Sequence, residues 1–357
     1  MRKRKLNKRG KLFFMVLVLI IIFAIVVVIF KNISNNNSNT DISTEKESKI
    51  SKLKLKLPTK KINIVDLKST SRPFAVMINN INVARPLQSG LQDAYIIYEI
   101  IVEGGITRYM ALFQDQATDR IGSIRSARHY FLDYALENDA VYVHHGQSDQ
   151  ALEDFNNLND LDRIVVDNSK TGFRDTSLNV SSEHTLFSSI DKLKNGLDNI
   201  RLERNKNYLL KYSSDSIDFS KYDSVLTANN VSIKYSNYTT SSYVYDSINK
   251  VYNRFVNGKE HTDYVTGKQY NFKNIITYQV NNYDLNDGSG KGRQGIDNIG
   301  SGEGYYISEG YAIPITWEKK SRESRTIYKY NNGEELVVND GNTFIQIQPK
   351  GQNLTIE

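Results

Sequence analysis

Two arginines flank a serine where a short predicted strand meets a predicted helix. The segment GSIRSARH places Arg125 and Arg128 on either side of Ser126. The pattern predicts a strand over 121–124 and a helix over 126–139, with Ser126 as the N-cap. A helix N-terminus offers free N–H groups, and guanidinium groups bind phosphate or carboxylate through paired hydrogen bonds. The segment therefore predicts an anion site; the alternative is that Ser126 only caps the helix while the arginines pair with acidic side chains.

Two glutamates and a third arginine lie on the hairpin that precedes this segment. Glu99 lies inside the predicted strand 94–104, Glu103 lies at its end, and Arg108 lies on the returning strand. A carboxylate inside a buried strand needs a partner, and we expect Arg108 or Arg125 to provide it for Glu99. Such a network either forms a site in which Glu99 or Glu103 is the acid/base, or holds the sheet together.

Histidines supply the remaining candidates. His144 and His145 end the predicted strand 140–146, and the carboxyl ends of parallel strands face ligand crevices. Adjacent strand residues point to opposite faces, so at most one of the two serves a given site, and we take His145 as a catalytic candidate. His184, in the loop SSEHTL, is a candidate for ligand binding together with the three arginines and Ser126. A hydrogen-bonded structural role is the alternative for each histidine.

Several kinds of chemistry have no support in the sequence. The 357 residues contain no cysteine and five histidines, which excludes disulfides, thiolate nucleophiles and cysteine zinc sites. We predict no metal site and no cofactor, since the P-loop, GxSxG, HExxH and EF-hand patterns are missing. The segment 284–295 resembles a calcium loop in composition but lacks the glutamate at loop position twelve, so we predict a hairpin tip there.

The elements that position these residues fall into two segments. In 72–221, strands and helices interleave, which predicts an α/β domain with a mixed sheet. In 222–357, short alternating runs are separated by Gly, Asn and Asp clusters such as GSGEG at 300–304, which predicts a mostly antiparallel β domain. The predicted strands of the first segment are 73–79, 94–104, 106–114, 121–124 and 140–146, and its predicted helices are 126–139 and 148–158.

A transmembrane helix is predicted before these domains. Residues 12–30 carry no charged or polar side chain, and nineteen residues of helix approach the thickness of the hydrocarbon core. The basic residues of the tail 1–11 favour a cytoplasmic N-terminus, which places everything after Lys31 outside the cell. Residues 31–71 are polar and predict a flexible tether. A cleaved secretory signal is the alternative, but no small-x-small cleavage motif follows the apolar stretch.

The net charge of +6 reflects this tail. Residues 1–31 hold eight of the 46 lysines and arginines and no acidic residue, so the remainder carries 38 basic and 40 acidic side chains. The ectodomain is therefore slightly acidic, and we predict that it does not bind nucleic acid. An exported chain without cysteine also fits the surface of a Gram-positive bacterium.

Several of these segments resemble a known family. RPFAVMINN, EGGITRYMALFQ, IGSIRSARHYFLDYALENDAVYVHHG and GYAIPITWEKK are similar to the YerB-like family, exported envelope proteins of Gram-positive bacteria with two domains of unknown function. The resemblance covers about residues 70–350 and implies an envelope location. Family members are often lipoproteins with a lipid-bearing cysteine, whereas this chain has an apolar helix instead. The outline is also similar to LytR-CpsA-Psr glycan transferases, although their motif is missing.

Two functions fit these observations. In the first, the chain is a membrane-anchored extracytoplasmic envelope protein that binds an anionic wall ligand, a lipid-linked ligand or a partner protein. In the second, it is an extracytoplasmic hydrolase or transferase that acts on a phosphate-bearing glycan or peptidoglycan, with a glutamate as acid/base and arginines as a clamp. Convergence of the glutamates, arginines and His145 in one open cleft would favour the second.

Overall fold

The computed structural model describes residues 61–357. The predicted cytoplasmic tail 1–11, the predicted anchor 12–30 and residues 31–60 of the predicted tether lie outside this range. Within residues 61–357, no helix has both the length and the apolar character needed to cross a membrane.

Strands dominate this part of the chain. The three α-helices of residues 61–357 are α1 His129–Glu137, α2 Asp149–Asn157 and α3 Ile190–Lys194. Short 3-10 turns cover Arg85–Leu87, Leu91–Asp93, Glu103–Gly105, Ser182–His184 and Phe219–Lys221. The strands are β1 Phe74–Asn79, β2 Ile96–Ile101, β3 Thr107–Phe113, β4 Ile121–Gly122, β5 Val141–His144, β6 Arg163–Val165, β7 Phe173–Arg174, β8 Leu186–Ser188, β9 Lys211–Ser213, β10 Leu226–Thr227, β11 Asn230–Lys234, β12 Thr240–Asp246, β13 Val251–Val256, β14 Lys259–Glu260, β15 Asn271–Phe272, β16 Asn274–Val280, β17 Asn282–Asp284, β18 Gln294–Ile296, β19 Gly300–Ser308, β20 Tyr311–Lys319, β21 Ile327–Tyr330, β22 Val337–Asn339, β23 Thr343–Pro349 and β24 Leu354–Ile356.

A mixed sheet of eleven strands forms the centre of the described chain. Its order is β10-β20-β19-β16-β23-β2-β3-β1-β5-β6, and β21 pairs with β20. Strand β23 lies between β2 and β16 and is parallel to both, so the sheet contains strands from both sides of the segment boundary at residue 222. The strands of segment 72–221 thus pair in both parallel and antiparallel directions, and those of segment 222–357 pair mostly in antiparallel directions. Both results agree with the prediction from the sequence.

Seven strands of the central sheet run in one direction. Strands β1 and β2 are both antiparallel to β3, β5 and β6 follow β1 in parallel, and β23 and β16 follow β2 in parallel. Strand β20 runs the same way, because β16 and β20 are both antiparallel to β19. The carboxyl ends of these strands therefore lie along one edge of the sheet, which we call the carboxyl edge. The last residues of the seven strands are Asn79, Ile101, His144, Val165, Val280, Lys319 and Pro349.

The two faces of the central sheet bury different partners. Alternate residues of β1 enter two separate cores: Met77 packs in the core that contains Tyr130 of α1, and Val76 packs in the core that contains Tyr243. Tyr243 belongs to a second sheet of order β14-β13-β12-β11-β24, with β15 paired to β13. Successive residues of β1 therefore point into opposite cores, and the strand is apolar as far as Ile78 because both of its faces are buried.

Two local predictions were wrong. Helix α1 begins at His129, not at Ser126, and its N-cap residue Arg128 makes no side-chain cap hydrogen bond. The backbone of 126–127 is held outside the helix, because the carbonyl of Ser126 accepts from Arg108 Nη1 at 2.8 Å and the N–H of Ala127 donates to Gly146 at 2.9 Å. The second error concerns GSGEG, predicted as a turn, whose residues 300–304 lie within β19.

Candidate anion-binding site

The segment that carries the arginines crosses the carboxyl edge between β1 and β5. Its position is fixed by main-chain hydrogen bonds to both strands: the N–H of Arg125 donates to Met77 at 2.9 Å, and the N–H of His145 donates to the carbonyl of Arg125 at 3.1 Å. The side chains of this segment therefore start from a rigid backbone at the edge where parallel strands end.

A single carboxylate joins two of the arginines. Glu103 lies in the turn after β2, where its Oε1 accepts from Arg108 Nη2 at 2.8 Å and its Oε2 accepts from Arg128 Nε at 2.8 Å. Arg128 Nη2 also contacts Oε1. The side chains of Arg108 and Arg128 are 5% and 10% exposed, so the pair of guanidinium groups is nearly removed from solvent.

The electrostatics of this trio keep Glu103 ionised. Burial alone would raise the pKa of Glu103, but the guanidinium groups of Arg108 and Arg128 outweigh burial and lower that pKa to about 2. Burial and the neighbouring charge of Arg128 lower the pKa of Arg108 to about 10. Near neutral pH, Glu103 is thus an ionised acceptor and a poor general acid.

The third arginine is closer to solvent. Arg125 Nη2 contacts Glu183 Oε2 at 2.6 Å; the side chain of Arg125 is 22% exposed, and that of Glu183 is 54% exposed. Arg125 also lies near enough to Arg108 to lower the pKa of that guanidinium further. Arg108, Arg125 and Arg128 carry three positive charges against the two negative charges of Glu103 and Glu183, so one positive charge remains.

The histidines border the arginines. Nδ1 of His184 lies 2.9 Å from Asn79 Nδ2 at the end of β1, and its Nε2 lies 3.4 Å from Glu183. Burial lowers the pKa of His184 below its ordinary value. His145 is exposed; its Nδ1 lies 2.8 Å from the carbonyl of Val166, and its Nε2 lies 3.4 Å from Arg174 Nη2. His184 and His145 each contact a neighbouring polar group, as expected for a structural histidine, and both lie at the carboxyl edge.

Glu99 lies elsewhere, and the expectation that Arg108 or Arg125 is its partner was wrong. In the β2–β3 pair, Glu99 is opposite Tyr109 while Arg108 is opposite Ile100, so Glu99 and Arg108 point to opposite faces of the sheet. Glu99 is fully buried, and its Oε2 accepts from Arg254 Nη2 at 2.9 Å. Arg254 of β13 belongs to the second sheet, so this ion pair joins the two sheets.

The sequence analysis did not predict two of the ion-pair partners, Arg254 and Glu183. Arg254 occupies a core-facing position of β13, because Tyr252 and Val256 on the same face are buried and their neighbours are less so. An arginine at such a position signals a buried carboxylate, and that signal was available in the alternating run VYNRFV. No sequence pattern indicates that Glu183 pairs with Arg125, because Glu183 lies in a short turn without hydrophobic periodicity.

The cluster therefore combines Arg108, Arg125, Arg128, His184 and the predicted carboxylate Glu103, with Ser126 contributing its carbonyl. His145 is attached to the same segment, and Glu99 is not part of the cluster. Such a set can bind an anion through guanidinium hydrogen bonds. Among residues 61–357, no group of three His, Asp or Glu side chains is arranged to hold a metal ion.

Comparisons with known proteins match most of the described chain. Residues 62–203 match the N-terminal domain, and residues 231–345 the C-terminal domain, of the proteins of unknown function named DUF3048. The chain is 30% identical over 306 residues to the "Putative lipoprotein YerB" of Bacillus subtilis (strain 168), covering 83% of this chain and 87% of that protein. The crystal structure of the YerB protein from Bacillus subtilis is similar with a TM-score of 0.70 and 28% identity, covering 83% of this chain and 99% of that one.

Proposed function

The chain belongs to the DUF3048 family, and from this premise we propose that it is an envelope-associated protein whose arginine cluster binds an anionic ligand. The ligand class is a phosphate-bearing or carboxylate-bearing wall polymer or lipid-linked molecule. Two observations support the envelope location: the relative from Bacillus subtilis is named as a lipoprotein, and residues 12–30 have the composition of a membrane anchor.

The observation that carries the proposed function is the unbalanced charge at the carboxyl edge. Glu103 neutralises one charge of the buried pair Arg108 and Arg128, and Glu183 pairs with Arg125 from a mostly exposed position. An exposed carboxylate is held weakly, because solvent screens the pair and the side chain pays conformational entropy. An anionic ligand can therefore displace Glu183 and gain contacts with Arg125.

Binding agrees with the geometry better than the alternative of a hydrolase or transferase. Of the two glutamate candidates, Glu99 is fully buried on the other face, and Glu103 is ionised and held by two arginines. His145 remains exposed, but the glutamates and His145 do not converge in one open cleft. No observation specifically favours catalysis.

The test is the binding of a polyprenyl phosphate to the full chain in detergent micelles. The variant Arg125→Ala lacks a charge-assisted contact with the ligand that is worth roughly 1.5–3 kcal/mol. We therefore expect it to bind the ligand about tenfold more weakly or worse. A calorimetric titration at low salt measures the dissociation constant, and circular dichroism checks the fold.

Arg325→Ala is the matched control. Arg325 has a similar exposure of 26% and likewise pairs with a glutamate, Glu335, but it comes from another part of the chain. The proposal predicts parental affinity for Arg325→Ala. Equal loss in both variants, or no loss in Arg125→Ala, would show that Arg125 is not a ligand contact.

A further inference from the structure

A fourth arginine borders the arginine cluster. Arg174, the last residue of β7, is half-buried, and its Nη1 donates to the carbonyl of Ser182. Its Nη2 lies 3.4 Å from Nε2 of His145, and this contact places it at the carboxyl edge. Arg174 lies outside the segment 121–128 that carries the predicted anion site, and a small sheet of order β4-β8-β7 holds its backbone.

Arg174 and Arg125 contact the same turn. Arg125 Nη1 lies 3.3 Å from the carbonyl of Glu183, the residue after Ser182. Because consecutive residues lie about 3.8 Å apart, the two guanidinium groups lie within about 10 Å of each other. A second path also joins them, since the N–H of His145 donates to the carbonyl of Arg125 at 3.1 Å and the ring of His145 contacts Arg174. Two guanidinium groups at such a separation can hold one anion between them.

Arg174 has no acidic partner within residues 61–357. The carboxylates that lie close to it along the chain bind other groups: Asp175 pairs with Arg120 at 3.0 Å, and Asp167 accepts from main-chain N–H groups of its own turn. A guanidinium group has five N–H donors, so most of those of Arg174 remain available to a ligand. Arg174 is therefore a positive charge that the described chain does not neutralise.

This arginine raises the excess charge of the site. The three arginines of the cluster and Arg174 carry four positive charges, and Glu103 and Glu183 carry two negative charges, which leaves two positive charges. A phosphate monoester carries a charge of about −1.5 to −2 near neutral pH and has three acceptor oxygens. A carboxylate or a phosphodiester carries one negative charge and has two such oxygens. The monoester therefore matches the excess charge best.

We propose that Arg174 is a further ligand contact, and that the site selects a terminal phosphate group over a carboxylate or a phosphodiester. The inference rests on the proposed anion site and narrows its ligand class. The three oxygens of a terminal phosphate can contact Arg125 and Arg174 at the same time, in charge-assisted hydrogen bonds. The ligand is then the phosphorylated end of a molecule, and not the backbone of a phosphodiester polymer.

Two probes that differ only at the phosphate test this selection. They are a polyprenyl phosphate and its methyl ester, titrated by calorimetry into the full chain in detergent micelles near pH 8, where the phosphate is doubly ionised. The ester keeps the lipid but has one negative charge and one acceptor oxygen fewer. The parent should bind the phosphate at least about tenfold more tightly than the ester, because the ester loses a charge-assisted contact. Arg174→Ala should bind both probes with the affinity that the parent has for the ester.

Arg204→Ala is the matched control for the loss of one positive charge. Arg204 is also half-buried and also has no acidic partner within residues 61–357. Its Nε donates to the carbonyl of Lys206 at 2.7 Å, and its N–H donates to the carbonyl of Thr70, in the segment that precedes β1. Arg204→Ala should keep the parental preference for the phosphate over the ester.

Inorganic phosphate is the third probe, and it distinguishes a lipid headgroup from a free phosphate ion. Binding weaker than that of the polyprenyl phosphate assigns the headgroup of a lipid-linked molecule, and equally tight binding assigns the free ion. In both cases the phosphate contacts Arg174, so Arg174→Ala should weaken the binding of this probe as well.

Equal binding of the phosphate and the ester by the parent would overturn the proposal, whether or not the variants fold. A parental preference that persists in Arg174→Ala, or an equal loss of both probes in that variant, would also overturn it. Arg125→Ala should weaken both probes, because the ester still offers oxygens to Arg125. A parent that shows this dependence on Arg125 without a preference for the phosphate refutes the Arg174 contact alone, whereas a parent that binds neither probe refutes the anion site as well.

Discussion

At the scale of single residues, the two glutamates of the first hairpin differ in what surrounds them. Glu99 is fully buried with Arg254, while Glu103 lies at the carboxyl edge between Arg108 and Arg128. The sequence predicted that Glu99 needs a partner, because burial of a charge demands compensation. The predicted partner, Arg108 or Arg125, was wrong, because the partner of Glu99 comes from the second sheet, which covers that face.

We expect Glu99→Gln to destabilise the fold strongly. The substitution leaves the guanidinium of Arg254 buried without its counter-charge, which typically costs about 3–5 kcal/mol. Urea unfolding measures the free energy of unfolding. Glu318→Gln, at a half-exposed glutamate on β20, is the control and should change stability by less than about 1 kcal/mol. Unchanged stability of Glu99→Gln would mean that the buried pair is not a structural link between the sheets.

Glu103→Gln should show a stability difference that depends on pH. Because the folded pKa of Glu103 is lowered to about 2, its ionisation favours folding above the unfolded pKa near 4.5 and loses this effect as pH falls towards 2. The shift corresponds to a loss on the order of 3 kcal/mol at pH 7. Unfolding curves of parent and variant at pH 7 and at pH 3 measure the difference, which should be smaller at pH 3. A difference that stays constant would contradict the ion pairs assigned to Glu103.

At the scale of elements, the sequence located most strands and both long helices of the first segment. The start of α1 differs from the prediction, because tertiary hydrogen bonds decide it: Arg108 and Gly146 hold residues 126–127 outside the helix. The glycines of GSGEG predicted a turn, yet Gly302 and Gly304 lie in β19 where no side chain fits. A Cβ on Gly304 would lie 2.4 Å from the carbonyl oxygen of Thr277, and one on Gly302 would lie 2.8 Å from Trp317 Nε1. Composition alone does not separate these two uses of glycine.

Two serines test the start of the helices. Ser148 caps α2, and its Oγ accepts from the N–H of Ala151 at 3.2 Å. Ser148→Ala should therefore cost about 1 kcal/mol, within a usual range of roughly 0.5–2 kcal/mol. Ser126→Ala should cost clearly less, because Ser126 lies before α1 and does not cap it. Chemical denaturation of both variants gives the comparison, and a larger loss at Ser126 would restore it as the cap.

At the scale of the whole described chain, the central sheet contains strands from both sides of residue 222. The sequence correctly predicted mixed pairing in the first segment and mostly antiparallel pairing in the second, but periodicity carries no information about which distant strands pair. Strand β23 shows this: it comes late in the chain and yet lies next to β2 through five paired residues. All seven residues of β23 are buried, which fits a central strand, but its sequence does not show which strands lie beside it.

The shared sheet makes a prediction about fragments. Residues 61–221 expressed alone lack β23, so β2 would expose an unpaired, apolar edge. We expect this fragment and the fragment 222–357 each to lack cooperative unfolding, whereas the two fragments mixed together should recover it. Thermal unfolding followed by circular dichroism is the measurement. A cooperative transition in either isolated fragment would show that it folds independently of the shared strands.

The central claim is that Glu183 occupies an anion site on Arg125, and Glu183→Gln tests it most directly. The substitution removes the competing carboxylate and leaves the three arginines in place, so the net charge of the cluster rises by one. We predict that Glu183→Gln binds a polyprenyl phosphate more tightly than the parent, by roughly threefold to tenfold at low salt. Damage to the fold cannot produce such a gain. Affinity equal to or weaker than that of the parent, in a variant that unfolds at the parental temperature, would contradict the account.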